Sequence, residues 1–511
     1  MDKAYAEIIA LAEKGATREE FEEEKARISG AYGLSNIVKN ADVILYMNRT
    51  GMEKKSVRDF LQTKPVRTLS GVANIAVMWL GENDYSCPFS CIFCPQGSTK
   101  HRHVPKSYTG TEPTTMRAMR NDYSPFRQVI NRLAQLRATG HDTDKCELIV
   151  MGGTFMSWQK EKRNSFIRGC LDAFNAAPST ALDEAKTVNE TAKNRVIGLT
   201  IETRADYCSD AQIQEMLCYG TTRVEIGVQT TREDIQQKIN RGHGCGKNKA
   251  AFRALREAGL KITAHWMPGL TGLYGKIDFA KEVESFRELF ENPDYRPDEL
   301  KIYPTLVIPG TVLHDQWKRG EYEALSDEKM TELLIEMKKH VPPYVRIKRI
   351  MRDISEHEAA AGARKTNLRQ LAKARGFVCR CIRCREVGLK KAAPENVALL
   401  ENEYEASGGK EFFLSFEDAK QGVLVGFLRL RIDASPWAKV RELHVYGQQA
   451  AIGTEGAWQH RGFGRRLLCR AEEIAAERGK KKILVTSGIG AREYYRKLGY
   501  VLEGNYMSKP L

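Results

Sequence analysis

The sequence predicts an α/β protein: a partial (β/α) barrel, then a separate and smaller α/β domain, with a small helical, basic region in front. Three observations predict it. Between residues 72 and 345, short β-rich apolar runs alternate with amphipathic helical stretches, the pattern of a parallel sheet whose chemistry gathers at the strand C-terminal ends. Beyond residue 392 a strand hairpin precedes strand, glycine loop, helix, strand and helix. The chain length of 511 residues accommodates three or four folding units at roughly 150 residues each.

In chain order, residues 1–71 read as short helices. Thr17-Arg-Glu-Glu20 is a capping box that opens a highly charged helix, and Ser35 is the expected cap of the apolar stretch Ile37–Met47. Lys64-Pro-Val-Arg67 through Gly71 is a basic, Gly/Pro-punctuated entry to the next unit. The strands expected over 72–345 are Ile75–Trp79, Glu147–Met151, Val196–Ile201, Arg223–Val228, Ile262–Met267 and Leu300–Pro304. Helical patterns such as Phe126–Leu136, Ser209–Tyr219 and Ala250–Ala258 lie between them. Residues 346–391 read as a basic connector ending in a cysteine cluster. The last unit, 392–511, opens with the hairpin Glu411–Leu414 and Val423–Leu430, followed by strand Arg441–Val445 and helix Arg465–Arg478, which stops at Gly479.

Hydrophobic residues make up 42% and charged residues 28% of the chain, values of a soluble globular protein that exclude wholesale disorder. The net charge of +15 favours a polyanionic partner, nucleic acid ahead of an anionic membrane. No run approaches the roughly 18 apolar residues of a membrane span, so no membrane partner is expected. The first thirteen residues carry acids where a signal peptide needs an apolar core. A cytoplasmic, reducing location is therefore expected, in which the twelve cysteines serve metals or catalysis.

Cys87-Pro-Phe-Ser-Cys91-Ile-Phe-Cys94 sets three thiolates in a loop directly after a predicted strand. Three soft sulfurs can hold three irons of a 4Fe–4S cluster. The fourth iron is then open to the amino and carboxylate groups of S-adenosylmethionine, whose reductive cleavage yields a 5′-deoxyadenosyl radical. A structural zinc site completed by one other ligand is the competing reading. Gly152 and Gly153 end the second predicted strand and allow close backbone approach to a ligand. At the end of the third, Glu202 and Thr203 could hold a ribose and Arg204 a carboxylate, bidentately.

A second triplet, Cys379-Arg-Cys381-Ile-Arg-Cys384, suits a closed tetrahedral Zn²⁺ site with His357 as a candidate fourth ligand; a second iron–sulfur cluster is the rival. Around it Arg364, Lys365, Arg369, Lys373, Arg375, Arg380, Arg383, Arg385, Lys390 and Lys391 face a single acid, Glu386, and Arg346, Lys348, Arg349 and Arg352 precede them. A basic run fixed by a metal staple suits phosphate contacts better than a merely solvated face. In the last unit, Gln459-His460-Arg461-Gly462-Phe463-Gly464 lies between a strand and a helix. Free amides at a helix start, with glycines beside them, suit a pyrophosphate.

Together these motifs resemble the radical S-adenosylmethionine superfamily over residues 64–344 and, more narrowly, the Elongator catalytic subunit family in its archaeal form. The stretches that carry the likeness include Ser107–Arg117, Met151–Phe155, Arg223–Gln229, Asn240–His243, His265–Leu270 and Lys301–Val307. The last unit resembles the GCN5-related acetyltransferase (GNAT) fold. The resemblance implies that Glu442, Leu443, His444 and Val445 offer a strand edge to the pantetheine arm of acetyl-coenzyme A. It likewise implies that Phe463, Gly464 and Arg465 meet the pyrophosphate. Tyr494, Tyr495 and Lys145 are then the catalytic candidates, Tyr495 pointing at the thioester and Lys145 reaching the coenzyme from the radical domain. It further implies transfer RNA, gripped at its anticodon stem–loop, as the polyanion, and a zinc-stapled linker.

The activity expected is that of a tRNA uridine carboxymethyltransferase, an acyltransferase of radical type. The radical activates the acetyl methyl group, which adds to uracil C5 at the wobble position, and the thioester is then hydrolysed. A protein lysine acetyltransferase with a structural cluster, a non-catalytic tRNA-binding scaffold and a different radical modification of RNA are the alternatives. A homodimer and Elongator-like partner subunits are compatible with the resemblance, and neither is demonstrable from sequence. The chain departs from the family pattern at Gln96 after Cys94-Pro, at Ala205 after Thr-Arg and at Pro309 before Gly-Thr.

Overall fold

A computed structural model describes residues 1–511 apart from Ala16, Glu53, 98–102, 391–392, 448–457 and His460. Lys391 of the basic connector, the expected 391/392 boundary and His460 of the glycine loop thus lie outside the described residues.

Seven parallel strands form the first sheet in strict chain order: β1 (Ala73–Met78), β2 (Lys145–Met151), β3 (Arg195–Thr203), β4 (Arg223–Gln229), β5 (Lys261–Trp266), β6 (Glu299–Ile302) and β7 (Arg346–Ile350). Helices connect successive strands, among them Pro125–Ala138, Lys160–Asn175, Cys245–Glu257 and Phe279–Glu291. Ridges of Leu133, Phe166, Phe252 and Phe286 bury against the outer sheet face. Because side chains alternate across a strand, the other face gathers Glu147, Thr200, Arg223, Glu225, Thr263, His265, Glu299 and Lys301 inside the half-barrel, where they bond to one another. The barrel core is therefore ionic, and its apolar core lies outside, under the helices.

The second sheet runs in the order β13 (Val501–Glu503), β14 (Tyr506–Pro510), β12 (Lys482–Val485), β11 (Trp437–Val445), β10 (Val423–Ile432), β9 (Gly409–Asp418) and β8 (Ala398–Ala406). Among the described residues of this sheet only β11 and β12 pair in parallel, from Trp437 to Val440. Beyond Val440 the two strands part. The helix Phe463–Glu477 packs Leu467, Leu468, Ala471 and Ile474 onto this sheet.

The two sheets share buried contacts: Phe413, Phe427 and Tyr446 of the second belong to the same apolar cluster as the barrel strands. At this seam Arg441 binds Asp298 through both terminal nitrogens, at 2.8 and 2.6 Å, and Glu411 at 2.9 and 2.7 Å. Arg429 adds Glu442 at 2.9 Å. All are buried. Four N-terminal helices, Asp2–Glu13, Arg18–Ala31, Asn40–Thr50 and Lys55–Leu61, close a small core of their own around Phe21, Ile44 and Met47.

The structure departs from the expected elements in several places, β13 and β14 among them. The Thr17–Glu20 capping box forms, but the third helix starts at Asn40, so Ser35 caps nothing. Arg346–Ile350, read as the start of the connector, is the seventh barrel strand. Its Arg-Ile-Lys-Arg-Ile sequence hides a strand because the charges point inward. β8 was absent from the expected hairpin: as an edge strand it carries Glu401, Glu403 and Glu405 on its exposed face.

Candidate active site

The first cysteine loop follows β1 and opens on a cavity at the strand C-terminal ends, lined by Cys87, Cys91 and Cys94. The cysteine loop is held to its surroundings by the backbone: Ile92 N–H donates to the Ile239 carbonyl at 3.1 Å, and Cys94 N–H to that of Cys91 at 3.0 Å. Glycine is required where β2 ends. Gly152 (φ 120°) and Gly153 (φ 94°) pass so near that a Cβ would stand 2.6 Å from the Trp79 carbonyl oxygen and 2.8 Å from that of Ser86.

Donors converge on the sulfurs. The Thr154 hydroxyl reaches Cys87 Sγ at 3.3 Å, and the Arg241 and Arg204 guanidinia stand 3.6 and 4.0 Å from Cys91 Sγ. Burial, with Cys91 beside it, pushes the Cys94 thiol up to about 12, so a metal-free loop keeps that proton. Three thiols on one pocket wall with cationic and hydroxyl donors around them fit a thiolate-ligated cluster.

Glu202 ends β3 in the same cavity, accepts from the Tyr108 hydroxyl at 3.2 Å and lies 3.6 Å from Lys301. Arg204 differs from expectation. Its fork grips Asp206 of its own chain, at 2.9 Å through each of two nitrogens, and its Cζ lies 3.4 Å from the Phe89 ring centroid. A bidentate carboxylate is indeed held there, and it is internal. Only the remaining nitrogen, Nη1, faces Cys91.

The floor of the cavity was not legible as a site. Glu225 hydrogen-bonds His265 Nε2 at 3.0 Å and pairs with Lys301. Burial would raise the Glu225 carboxyl, but Lys301, the His265 bond and Lys348 outweigh it and hold it well below the ordinary value. Glu202, Glu225 and His265 converge like metal ligands, yet the cation between the two carboxylates is the Lys301 ammonium. Just below, Lys348 Nζ lies 3.5, 3.8 and 3.9 Å from Glu299, Glu147 and Glu225. Burial, with Arg223 alongside, brings Lys348 down to about 7. The overlooked signal was charge at alternate positions within apolar strands, which places it inside a barrel.

At the opposite end of the barrel lies the glycine loop of the second sheet. Where β11 leaves β12, its Arg441–Val445 edge has no strand partner on that side among the described residues. Gly462 (φ 79°) caps the helix Phe463–Glu477, whose first turn carries no acid, so the amides of Phe463, Gly464 and Arg465 are open to an anion. Phe463 packs edge-on to Phe416, 5.1 Å between centroids. Lys145 at the start of β2 donates to Gln459 Oε1 at 2.8 Å, and Gln459 Nε2 to the Val445 carbonyl at 3.2 Å. The barrel lysine therefore reaches the loop. Among the strand residues, Glu442 pairs inward with Lys261 at 3.2 Å and His444 bonds the Ser70 carbonyl at 2.9 Å; burial brings His444 down to about 4.

The two tyrosines part company. Tyr495 is 6% exposed and packs on Tyr500 in the core of the second sheet, whereas Tyr494 is 41% exposed. The Tyr494 hydroxyl lies 3.0 Å from where a Cβ on Gly464 would stand, over the helix start. Adjacent residues on a helix point about 100° apart, so one turn cannot bring both to the loop.

Cys379, Cys381 and Cys384 bring their sulfurs within 4.8 Å of one another, and Arg369 donates to Cys384 Sγ at 3.6 Å. This fits three of four tetrahedral positions. His357 is not the fourth: it is exposed on the turn Glu356–Glu358 and is not among the converging ligands. The basic connector divides in two. Arg346, Arg369 and Arg385 are spent on Glu386, the Ile347 carbonyl and Glu417, while Lys365, Lys373, Arg375, Arg380 and Lys390 are exposed. No helix among the described residues is long and apolar enough to cross a membrane.

Four family models match successive parts of the chain: the ELP3 N-terminal domain over residues 1–69, the radical SAM superfamily over 85–276, the radical SAM C-terminal domain over 297–377 and the GNAT acetyltransferase family over 383–500. The chain is 47% identical over 496 residues to the tRNA uridine(34) acetyltransferase of Methanocaldococcus infernus, covering 92% of this chain and 91% of that one. It is 42% identical over 514 residues to human Elongator complex protein 3, covering 95% and 92%. The solved archaeal Elp3 of M. infernus, lacking residues 1–46, superposes with a TM-score of 0.76 at 42% identity, over 87% of this chain and 100% of that one.

Proposed function

From the premise that this chain belongs to the family of tRNA uridine(34) acetyltransferases and Elongator complex protein 3, we propose that it modifies the wobble uridine of transfer RNA by radical S-adenosylmethionine chemistry. The product is 5-carboxymethyluridine, and acetyl-coenzyme A is the carbon donor. The observation that carries this reading is the joining of two unlike sites through one barrel. A three-thiol pocket stands at the strand C-terminal ends, and an acyl-carrier strand edge is tied to the strand N-terminal ends by Lys145–Gln459 and Lys261–Glu442. Protein acetylation would use the second site alone.

When bound, the cluster and its sulfonium cosubstrate supply a carbon radical able to take hydrogen from the acetyl methyl group. The residues of the chain do the rest. Cys87, Cys91 and Cys94 are the metal ligands in this reading, with Thr154 and Arg241 stabilising their charge. Glu202 and the Gly152–Gly153 backbone line the cosubstrate's place. Phe463, Gly464 and Arg465 meet the coenzyme's phosphates, Gln459 must exchange its Val445 bond for the pantetheine amide, and Tyr494 stands over the helix start. The exposed lysines and arginines of the connector track tRNA phosphates. Cys379, Cys381 and Cys384 hold zinc, which fixes that surface.

Methyl-labelled acetyl-coenzyme A, incubated anaerobically with tRNA, S-adenosylmethionine and reductant, should label the nucleoside. Label confined to protein would replace this reading by a lysine acetyltransferase, and Cys91→Ala should abolish nucleoside labelling.

A further inference from the structure

The half-barrel interior holds a titratable trio for which the proposed reaction as drawn has no use. His265 lines the cofactor cavity and gives Nε2 to Glu225 at 3.0 Å. Its other ring nitrogen, Nδ1, has no hydrogen bond among the described residues, and the ring stands edge-on to Tyr303 with centroids 5.2 Å apart. Behind Glu225 sits Lys348, an amine 3.5–3.9 Å from three carboxylates. It makes no hydrogen bond among the described residues and keeps 19% of its side chain accessible within the barrel. A permanently charged lysine buried for stability would be expected to hydrogen-bond its partners. This one is held at a distance from all three.

Resting on the uridine reading above, we propose that His265 takes up the proton that leaves uracil C5, with Glu225 and Lys348 as the positioning residues behind it. Replacing the C5–H bond by a C5–CH2 bond through radical addition leaves a ring adduct that must shed one proton and one electron. The proton goes to His265 Nδ1, and the electron to a one-electron acceptor of the iron–sulfur class. The imidazolium so formed keeps its bond to Glu225. The added charge is accommodated because Lys348, which faces the same carboxylate, can release its own proton to solvent at its accessible face.

The groups facing Lys348 are Glu147 on β2, Arg223 and Glu225 on β4, and Glu299 and Lys301 on β6. Those facing His265 are Glu225, Glu202 on β3, Lys301 on β6 and Tyr303 just beyond it. Arg223 and Lys301 are the cations that disfavour a third charge on Lys348. Burial and these cations therefore favour the neutral amine of Lys348 more than in an ordinary lysine, so it can yield a proton where His265 gains one.

Two measurements test this. Competitive labelling of the metal-free full chain with trace acetic anhydride reads the Lys348 amine directly, with no reaction required. A midpoint near 7, lowered further in Glu225→Gln, is expected; a midpoint near the ordinary lysine value of about 10 overturns the proposal. In the loaded enzyme, His265→Gln should lower nucleoside formation on the order of 100-fold, the scale of a lost general base, and lower it well beyond any change in methionine release. Lys348→Met should erase the inflection near pH 7 in the rate profile, and Lys348→Arg, a fixed cation, should slow the reaction at every pH. If wild-type enzyme labels the nucleoside but the pH profile is the same in Lys348→Met, the inference fails and the uridine reading stands. If wild-type enzyme labels no nucleoside, that reading fails first.

Discussion

Replacing Arg441 by methionine tests how the barrel and the second sheet are joined. Arg441 is fully buried, and its guanidinium makes five hydrogen bonds: two to Asp298, two to Glu411 and one to the Leu260 carbonyl at 3.0 Å. Methionine fills much of the volume but leaves two carboxylates facing each other in a buried site. Breaking a buried pair from one side costs about 3–5 kcal/mol. Arg429 at 3.6 Å from Asp298, and Arg431 and Arg256 at 3.2 and 3.6 Å from Glu411, remain to share the charge. The loss should therefore fall near the lower limit, about 3 kcal/mol, or roughly a hundredfold in the folding equilibrium. Urea unfolding followed by intrinsic fluorescence reads it. Arg470→Ala, which removes half-exposed pairs with Glu401, Glu473 and Glu477, is the control and should change stability by less than about 1 kcal/mol. A change below about 1 kcal/mol for Arg441→Met as well would refute the reasoning, because the seam would then have to be hydrated.

Acid should loosen the same seam. Burial would raise the Asp298 carboxyl, but Arg441 and Arg429 hold it well below its ordinary value, so its contribution is complete above about pH 4 and is lost as the pH falls below that. His444, brought down to about 4 by burial, acts over a higher window: the unfolded chain takes up its proton near pH 6.5 and the folded one does not, so stability should rise from pH 4.5 to 7. His444→Gln should flatten part of that rise in urea midpoints. If Cys379, Cys381 and Cys384 hold zinc as proposed, elemental analysis should find it in the wild type and not in Cys381→Ser, whose melting temperature should fall by several degrees. Arg375→Glu with Arg380→Glu should weaken tRNA binding and reduce its salt slope by about 2, one unit for each phosphate left without its cation.

Much of the fold was legible in the chain. Six of the seven barrel strands carry β-branched and apolar runs that alternate with helical periodicity, and each of the six expected strands overlaps an observed one. The seventh was hidden because Arg346, Lys348 and Arg349 look like surface charge when read in one dimension. The three-cysteine loop and the glycine loop were visible because their chemistry depends on local spacing. The barrel floor was not: Glu225, His265, Lys301 and Lys348 come from four strands, and nothing in their sequence separation foretells that Glu225 meets His265 at 3.0 Å. The role of Arg204 was also out of reach, since Asp206, two residues on, competes for its fork.

What the sequence by itself determined is the set of parts: strand and helix order, the thiol and glycine motifs, and the excess of basic residues. Each rests on neighbours within a few positions, where propensity, capping and spacing act. Only the tertiary structure decided which charges are buried together, which tyrosine meets the helix start, that His357 stands apart from the cysteines, and which arginines remain at the surface. Those outcomes depend on desolvation and pairing across the two sheets, and the energy of an ion pair is set by where its partner lies in space.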